Sequence, residues 1–303
     1  MTRSKPVRLR HGLAPFLLVL PAVALFLVSF VVPFCYTIVL SFMNLRTDGS
    51  NAFGRPSESF VGLANYVNAV GDPEFTASLG RLGAYGLIVM PATIVGSLVL
   101  ALLLDVPRQR LLRSARLSML LPYAAPGVVA AILWGFLLLP GTSPVNEIAN
   151  ALGLPITNLL SLPAVYGSLA LIAIWGGVGF NMIVIYTSLR AIPAELYDAA
   201  RIDGCTELQI ALRIKTPLVA PALVLTGIFT FIGTVQVYGE PMVLRTMTDS
   251  ISSTFFPLMT VYNEAFRVND LYGAAASSII LAVGVLVLSA AVLLVNNRIR
   301  RSV

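Results

Sequence analysis

Six apolar runs, each long enough to cross a hydrocarbon core that takes about 20 helical residues, constrain this chain more than any other feature. They lie near Leu13 to Met43, Leu82 to Leu104, Leu117 to Leu139, Ala164 to Leu189, Leu218 to Tyr238 and Gly273 to Val295. Backbone polar groups at bilayer depth cannot turn to water, so each run is expected to satisfy them internally as a helix. The fold class that follows is all-α, a polytopic membrane protein with six transmembrane helices. Residues 13–295 form its single membrane domain, between a basic tail (1–12) and a short final tail (296–303). The first run exceeds the length of a span and is expected to tilt, or to bend at Pro33, whose ring breaks the hydrogen-bond ladder. A composition of 57% hydrophobic and 11% charged residues leaves too little polar surface for a soluble domain of this size.

The loops orient the spans. Fifteen of the 20 Lys and Arg residues fall on the side holding both termini and the loop after the fourth run, and five fall on the other. By the positive-inside tendency, both termini and that loop face the cytoplasm, as for a multi-pass protein of the cell membrane. Asn51 and Ser253 are then outside, and Thr206 and Ser302 inside. The basic residues are spread over several short loops rather than gathered on one face, so the partner is membrane lipid and not nucleic acid. Cys35 and Cys205 lie far apart and suggest neither a disulfide framework nor a metal site.

Ile192 to Pro221, IPAELYDAARIDGCTELQIALRIKTPLVAP, is the longest charged and helix-patterned loop. Pro193 suits a first helical position, Glu195 and Asp198 suit the positive end of a helix dipole, and Gly204 can take the left-handed conformation that ends a helix. Thr206 with Gln209 has capping-box spacing, and Pro217 is expected to stop the second helix. The loop reads as a helical hairpin; from pattern alone, an amphipathic loop lying on the membrane surface is the alternative.

Asp198, Ala199, Ala200, Asp203, Gly204, Ile214 and Pro217 resemble the signature "EAA" loop of importer permeases of the ATP-binding-cassette (ABC) type. The resemblance implies that the loop 190–217 is a coupling hairpin seated on a separate ATPase subunit, with Asp198, Ala199, Ala200, Asp203 and Gly204 at the contact. Asp198 stands where the family usually has Glu, Cys205 where it has Ala, and Ala211 where Phe is common. The stretch FVGLANY (Phe60–Tyr66) resembles the "FVGLxNY" phrase of the larger, maltose-type permease partner in carbohydrate and glycerol-phosphate importers. TFFPLMTVYNEAF (Thr254–Phe266) resembles a run before the last span, although the Gly-Gly-Pro that commonly precedes it is replaced by Arg245 to Ser253, so no contact residues carry over there. The implied partners are a second homologous permease, two ABC ATPase subunits carrying ATP and Mg, and an extracytoplasmic solute-binding protein. No cofactor is expected in this chain.

The chemistry inside the spans is sparse. As drawn, none holds Asp, Glu, Lys, Arg or His, which argues against the alternative of an ion-coupled secondary carrier. Neither lysine follows a glycine, so no phosphate-cradling loop is present, and no grouped His, Cys or carboxylates support a membrane-embedded enzyme. What remains is neutral: Asn181, Gln236, Trp175 and Tyr238 are the candidates for a solute path, because amides and aromatic faces bind hydroxyl-rich solutes. Ties between helices are the competing role for such residues. The function expected is a permease subunit of an ATP-driven importer for a sugar or glycerol-phosphate-type solute.

Overall fold

Pro33 shapes the first helix. In the computed structural model α1 (Ala14–Phe26) enters a wide π turn over Leu27–Val31 and continues as α2 (Val32–Ser41). Proline offers no N–H to the ladder and its ring crowds the carbonyl one turn back; the wide turn just before it absorbs both effects. The structure describes residues 14–46, 57–105 and 109–301, with side chains within 16–45, 57–105 and 114–294. The basic tail 1–12 with His11, and Asn51, Arg55, Arg108 and Ser302, lie outside the described residues.

After α2, β1 (Met43–Arg46) pairs antiparallel with β2 (Ser57–Phe60), Met43 facing Phe60 and Arg46 facing Ser57. This ribbon is the one departure from an all-helical architecture among the described residues. Beyond it come α3 (Ala64–Gly71) and the long α4 (Pro73–Leu104). The FVGLANY phrase has a local task here: buried Asn65 donates through Nδ2 to the Ser41 and Met43 carbonyls at 3.0 and 2.7 Å, and the Tyr66 hydroxyl lies 2.6 Å from Ser41 Oγ. Asn65 thus satisfies carbonyls left over at and just past the end of α2, and Tyr66 holds the Ser41 hydroxyl beside them. Asp72 closes α3 and caps α4, accepting from the Glu74 and Phe75 N–H groups at 3.1 and 3.2 Å.

The third apolar run is not a single straight span. It is divided into α5 (Gln109–Leu120), a 3-10 turn (Leu121–Ala124) and α6 (Gly127–Leu138), with a bend of 98°. Pro122 and Pro126 each remove a donor, and Ala125, preceding a proline, is extended. Then follow α7 (Pro144–Ala151), α8 (Ala164–Arg190), α9 (Ala194–Ile202), α10 (Glu207–Ile210), α11 (Thr216–Leu218), α12 (Ala220–Val235), α13 (Gly239–Leu244), α14 (Pro257–Asn263) and α15 (Leu271–Arg301). Among the described residues, five helices are long and apolar enough to cross a membrane, or six with the bent pair counted as one. The segment before the last span is largely helical: α14 runs into a π turn over Glu264–Val268, and left-handed Asn269 (φ 61°) ends it.

Helices α4, α8 and α12 pack together at the centre, α15 lies against α2, and α6 against α13. Between helices in a bilayer the apolar driving force is weak, so close approach and polar ties matter. Ser97 on α4 donates to the Val178 carbonyl on α8 at 3.1 Å. At Gly179 a Cβ would overlap the Met119 carbonyl oxygen, so only glycine lets the end of α5 cross α8 here. The outward faces are apolar: no residue in the hydrophobic window of the first span is buried, and 6% of that in α15 is. Such surface suits lipid or a second membrane subunit.

Candidate functional site

The hairpin between α8 and α12 is built by its caps. Pro193 precedes α9, and the Asp203 and Cys205 N–H groups return to the Ala199 and Ala200 carbonyls at 3.0 Å each. Gly204 has φ +84°, the left-handed value that side chains with a Cβ resist. The Thr206 hydroxyl accepts the Gln209 N–H at 3.3 Å, while Gln209 Oε1 accepts the Thr206 N–H at 2.8 Å, closing a capping box on α10. Arg201 bridges the two arms, at 2.9 Å from Asp198 and 2.8 Å from Glu207. These pairs are exposed and add little stability, but they hold the arms in register. The Arg201 bond draws the Glu207 carboxyl below the usual carboxylate range.

Pro217 does not stop the second arm. A π turn over Ala211–Lys215 precedes it, as one precedes Pro33, and the chain continues through α11 into α12. That turn carries Lys215 inward, where its ammonium lies 2.7 Å from Asp105 at the end of α4 and 4.8 Å from the Tyr197 ring centroid. Burial, and then the Asp105 charge, push the Tyr197 hydroxyl above its ordinary value. The pair was not legible in the sequence, because 110 residues separate its members.

Of the hairpin candidates, Ala200 packs inward at 7% exposure, whereas Asp198, Ala199, Asp203 and Gly204 face out. Ile202 (86% exposed) and Leu208 (68%) stand beside them. The hairpin thus presents a capped, small-residue surface flanked by large apolar side chains that the bundle leaves uncovered.

A second feature is a cavity of about 600 Å³ bounded by α4, α8, α12 and the bend before α6. Of the four path candidates it takes two. Trp175 lines it, with its ring edge-on to Trp134 (centroids 5.8 Å apart), and so does Asn181. Asn181 Nδ2 donates to the Gly177 carbonyl at 3.1 Å and to Thr230 Oγ1 at 3.2 Å, so the amide ties α8 to α12 through its nitrogen. Its Oδ1 is buried without a partner, as is Thr93 Oγ1, also in the lining. Gln236 and Tyr238 lie outside the lining, because α12 ends at Val235 and the chain turns; Gln236 is exposed and Tyr238 packs on Tyr262. Tyr85, Tyr123, Phe180 and Phe229 supply further rings, and Thr230 and Thr234 further hydroxyls.

Glu240 also lines the cavity. It lies two residues beyond the fifth run as drawn, within an apolar stretch that extends from Ala220 to Leu244. The sequence signal was there: Gly239-Glu240-Pro241 directly follows the run as drawn.

The pattern of the family described as "Binding-protein-dependent transport system inner membrane component" matches residues 97–301. Over 274 residues the chain is 30% identical to the sn-glycerol-3-phosphate transport system permease protein UgpA of Yersinia enterocolitica, covering 88% of each. It is 28% identical over 288 residues to the protein of that name from Pectobacterium atrosepticum, covering 93% of this chain and 92% of that one. Among solved structures, a bacterial ABC transporter involved in the import of the acidic polysaccharide alginate shares the fold, with TM-score 0.78 and 22% identity over 95% of both chains. The alginate transporter in complex with its alginate pentasaccharide-bound periplasmic protein does so with TM-score 0.75 and 21% identity, over 95% of this chain and 94% of that one. The chain belongs to the family of binding-protein-dependent transport system inner membrane components, and is a multi-pass permease of an importer rather than an enzyme.

Proposed function

We propose that this permease forms the translocation path for a sugar or glycerol-phosphate-type solute and takes its energy from separate ABC ATPase subunits through the hairpin 192–217. The observation that carries the reading is the hairpin itself. Caps, a left-handed glycine and the Arg201 bridge make it rigid, while Ile202 and Leu208 remain exposed, as a surface awaiting a protein partner would. Asp198, Ala199, Asp203 and Gly204 lie on the contact face, and Ala200 anchors α9 from behind. ATP and Mg belong to the partner ATPases. A second, similar permease covers apolar helix faces that this chain leaves open, and a solute-binding protein delivers cargo from outside.

The solute class follows the relatives, which are named for sn-glycerol-3-phosphate, and the neighbours in fold, which are named for a polysaccharide. Asn181 and Trp175 serve the path from the cavity, with Gln236 and Tyr238 beyond its edge. The distribution of Lys and Arg supports a cytoplasmic hairpin and cytoplasmic termini.

The test is purification of the assembled complex and its reconstitution with the binding protein. An ATPase should copurify, and its hydrolysis should rise when loaded binding protein is added. A stable complex without an ATPase, transporting solute on an ion gradient, would refute the reading.

A further inference from the structure

Resting on the path proposed above, we infer that Glu240 makes the cavity a site for uncharged, hydroxyl-rich solutes and excludes phosphate esters and other anions. Glu240 is the charged group in the lining; no Lys, Arg or His joins it among the described residues, and Glu240 forms no ion pair there. Its carboxylate sits at the start of α6, where a Cβ on Gly127 would fall 2.5 Å from Oε1. That placement matters because the start of a helix, with its free N–H groups and positive dipole end, is where an apolar cavity lacking cations would otherwise receive a solute anion. Here the protein's own carboxylate stands beside that position. Gly127 is the residue that leaves room for it.

The rest of the lining has the chemistry of neutral sugar recognition. Tyr123 and Trp175 offer aromatic surface for the apolar side of a pyranose. The unpartnered Asn181 Oδ1 and Thr93 Oγ1 are acceptors in residues that are 5% and 2% exposed. Such atoms are costly to leave unmet, and hydroxyl donors on a solute would meet them once the helices shift. Glu240, an acceptor with several lone pairs, would take two or more hydroxyls, and it would also tolerate an ammonium group. A phosphate brings no donors when ionised and places like charge beside the carboxylate. In a partly screened site, like charges a few ångströms apart give a discrimination of about tenfold or more.

The experiment uses the assembled permease–ATPase complex in detergent, without the binding protein, so that discrimination by this chain is read alone. Trp175 is the reporter: maltose, glucosamine and sn-glycerol 3-phosphate are titrated against tryptophan fluorescence in wild type, Glu240→Gln and Gly127→Ala. A Trp175→Phe control identifies the cavity signal. Wild type should bind maltose and glucosamine at least about tenfold more tightly than sn-glycerol 3-phosphate. Glu240→Gln should shrink that gap several-fold and remove any preference for glucosamine over maltose. Gly127→Ala, which pushes the carboxylate from its seat, should shift the ratio in the same direction if Glu240→Gln fails to assemble. Equal or tighter binding of sn-glycerol 3-phosphate by wild type overturns the proposal, as do ratios unchanged in both variants or a lack of any cavity signal. ATP-driven uptake by the same complex, measured in parallel with its binding protein, separates this failure from failure of the importer reading.

Discussion

Lys215 Nζ lies 2.7 Å from Asp105 Oδ2, and this pair ties the root of the hairpin to the end of α4. The two side chains are 10% and 5% exposed, so each charge depends on the other. Removing one partner of such a pair costs about 3–5 kcal/mol, whereas replacing both with apolar groups of similar volume is close to neutral. Lys215→Met alone should therefore lower the thermal midpoint of the purified complex sharply, and Asp105→Leu with Lys215→Met should recover most of the loss. A double variant no better than the single one would show that the pair is not the stabilising unit.

The hairpin cap yields a prediction about coupling. Gly204 sits at φ +84°, where a β-branched residue is strained, and Asp203 beside it is exposed on the contact face. Asp203→Lys with Gly204→Val should leave membrane insertion intact while abolishing uptake, because both changes fall outside the spans. Solute uptake and ATPase copurification measure this; normal stimulated uptake would refute the coupling role.

Asn181 and Gln236 should now behave differently from each other. Asn181→Leu breaks the tie to Thr230, a loss on the order of 1 kcal/mol, so both complex yield and transport should fall. Gln236→Leu changes an exposed residue outside the cavity lining and should leave yield unchanged. Yield on a size-exclusion column and uptake per complex separate the cases; an unaffected Asn181→Leu would remove that residue from both packing and path.

Orientation is open to direct labelling. On a background lacking Cys35 and Cys205, a cysteine at Ser253 should react with an impermeant reagent in intact cells, and one at Thr206 should not. The reverse pattern would invert the protein in the membrane.

A pH dependence follows from Glu264. Burial holds its carboxyl above the usual Glu range; the bond from Ser277 Oγ at 3.1 Å opposes this, and Asp270 and Asp72 add to it. The folded protein therefore keeps the proton to a higher pH than the unfolded chain does. The stability from this group is complete below the ordinary Glu value and declines as pH rises through the raised one. Thermal midpoints measured from acid to neutral pH should fall in wild type relative to Glu264→Gln. Parallel curves would show that Glu264 is not the linked group.

What could be read from the sequence was local. Gly204 and the Thr206–Gln209 box were legible because each acts within a few residues, and their geometry follows from backbone sterics; Pro193 caps α9 from one residue before the first helical position expected for it. The bend at Pro122 and Pro126 was written in the chain too, but a hydropathy average over the run hides two missing donors. Lys215–Asp105 and the cavity were hidden for another reason: they depend on which helix faces meet, and neutral spans of nearly uniform apolarity carry little periodic signal to say so. Gln236 illustrates the cost of that, since a polar residue in a span was counted toward the path although the helix ends one residue before it.

The crossing at Gly179 has a mechanical consequence. Because the Met119 carbonyl rests where a side chain would otherwise stand, sliding α8 by one turn so that Met182 or Ile183 comes beneath it is blocked, while tilting about the contact leaves it intact. The third span is thus seated on α8 as on a fulcrum: a slide of one turn toward Met182 is opposed, whereas one turn the other way Gly176 presents no Cβ, so the contact can rock, or slip in that one direction only.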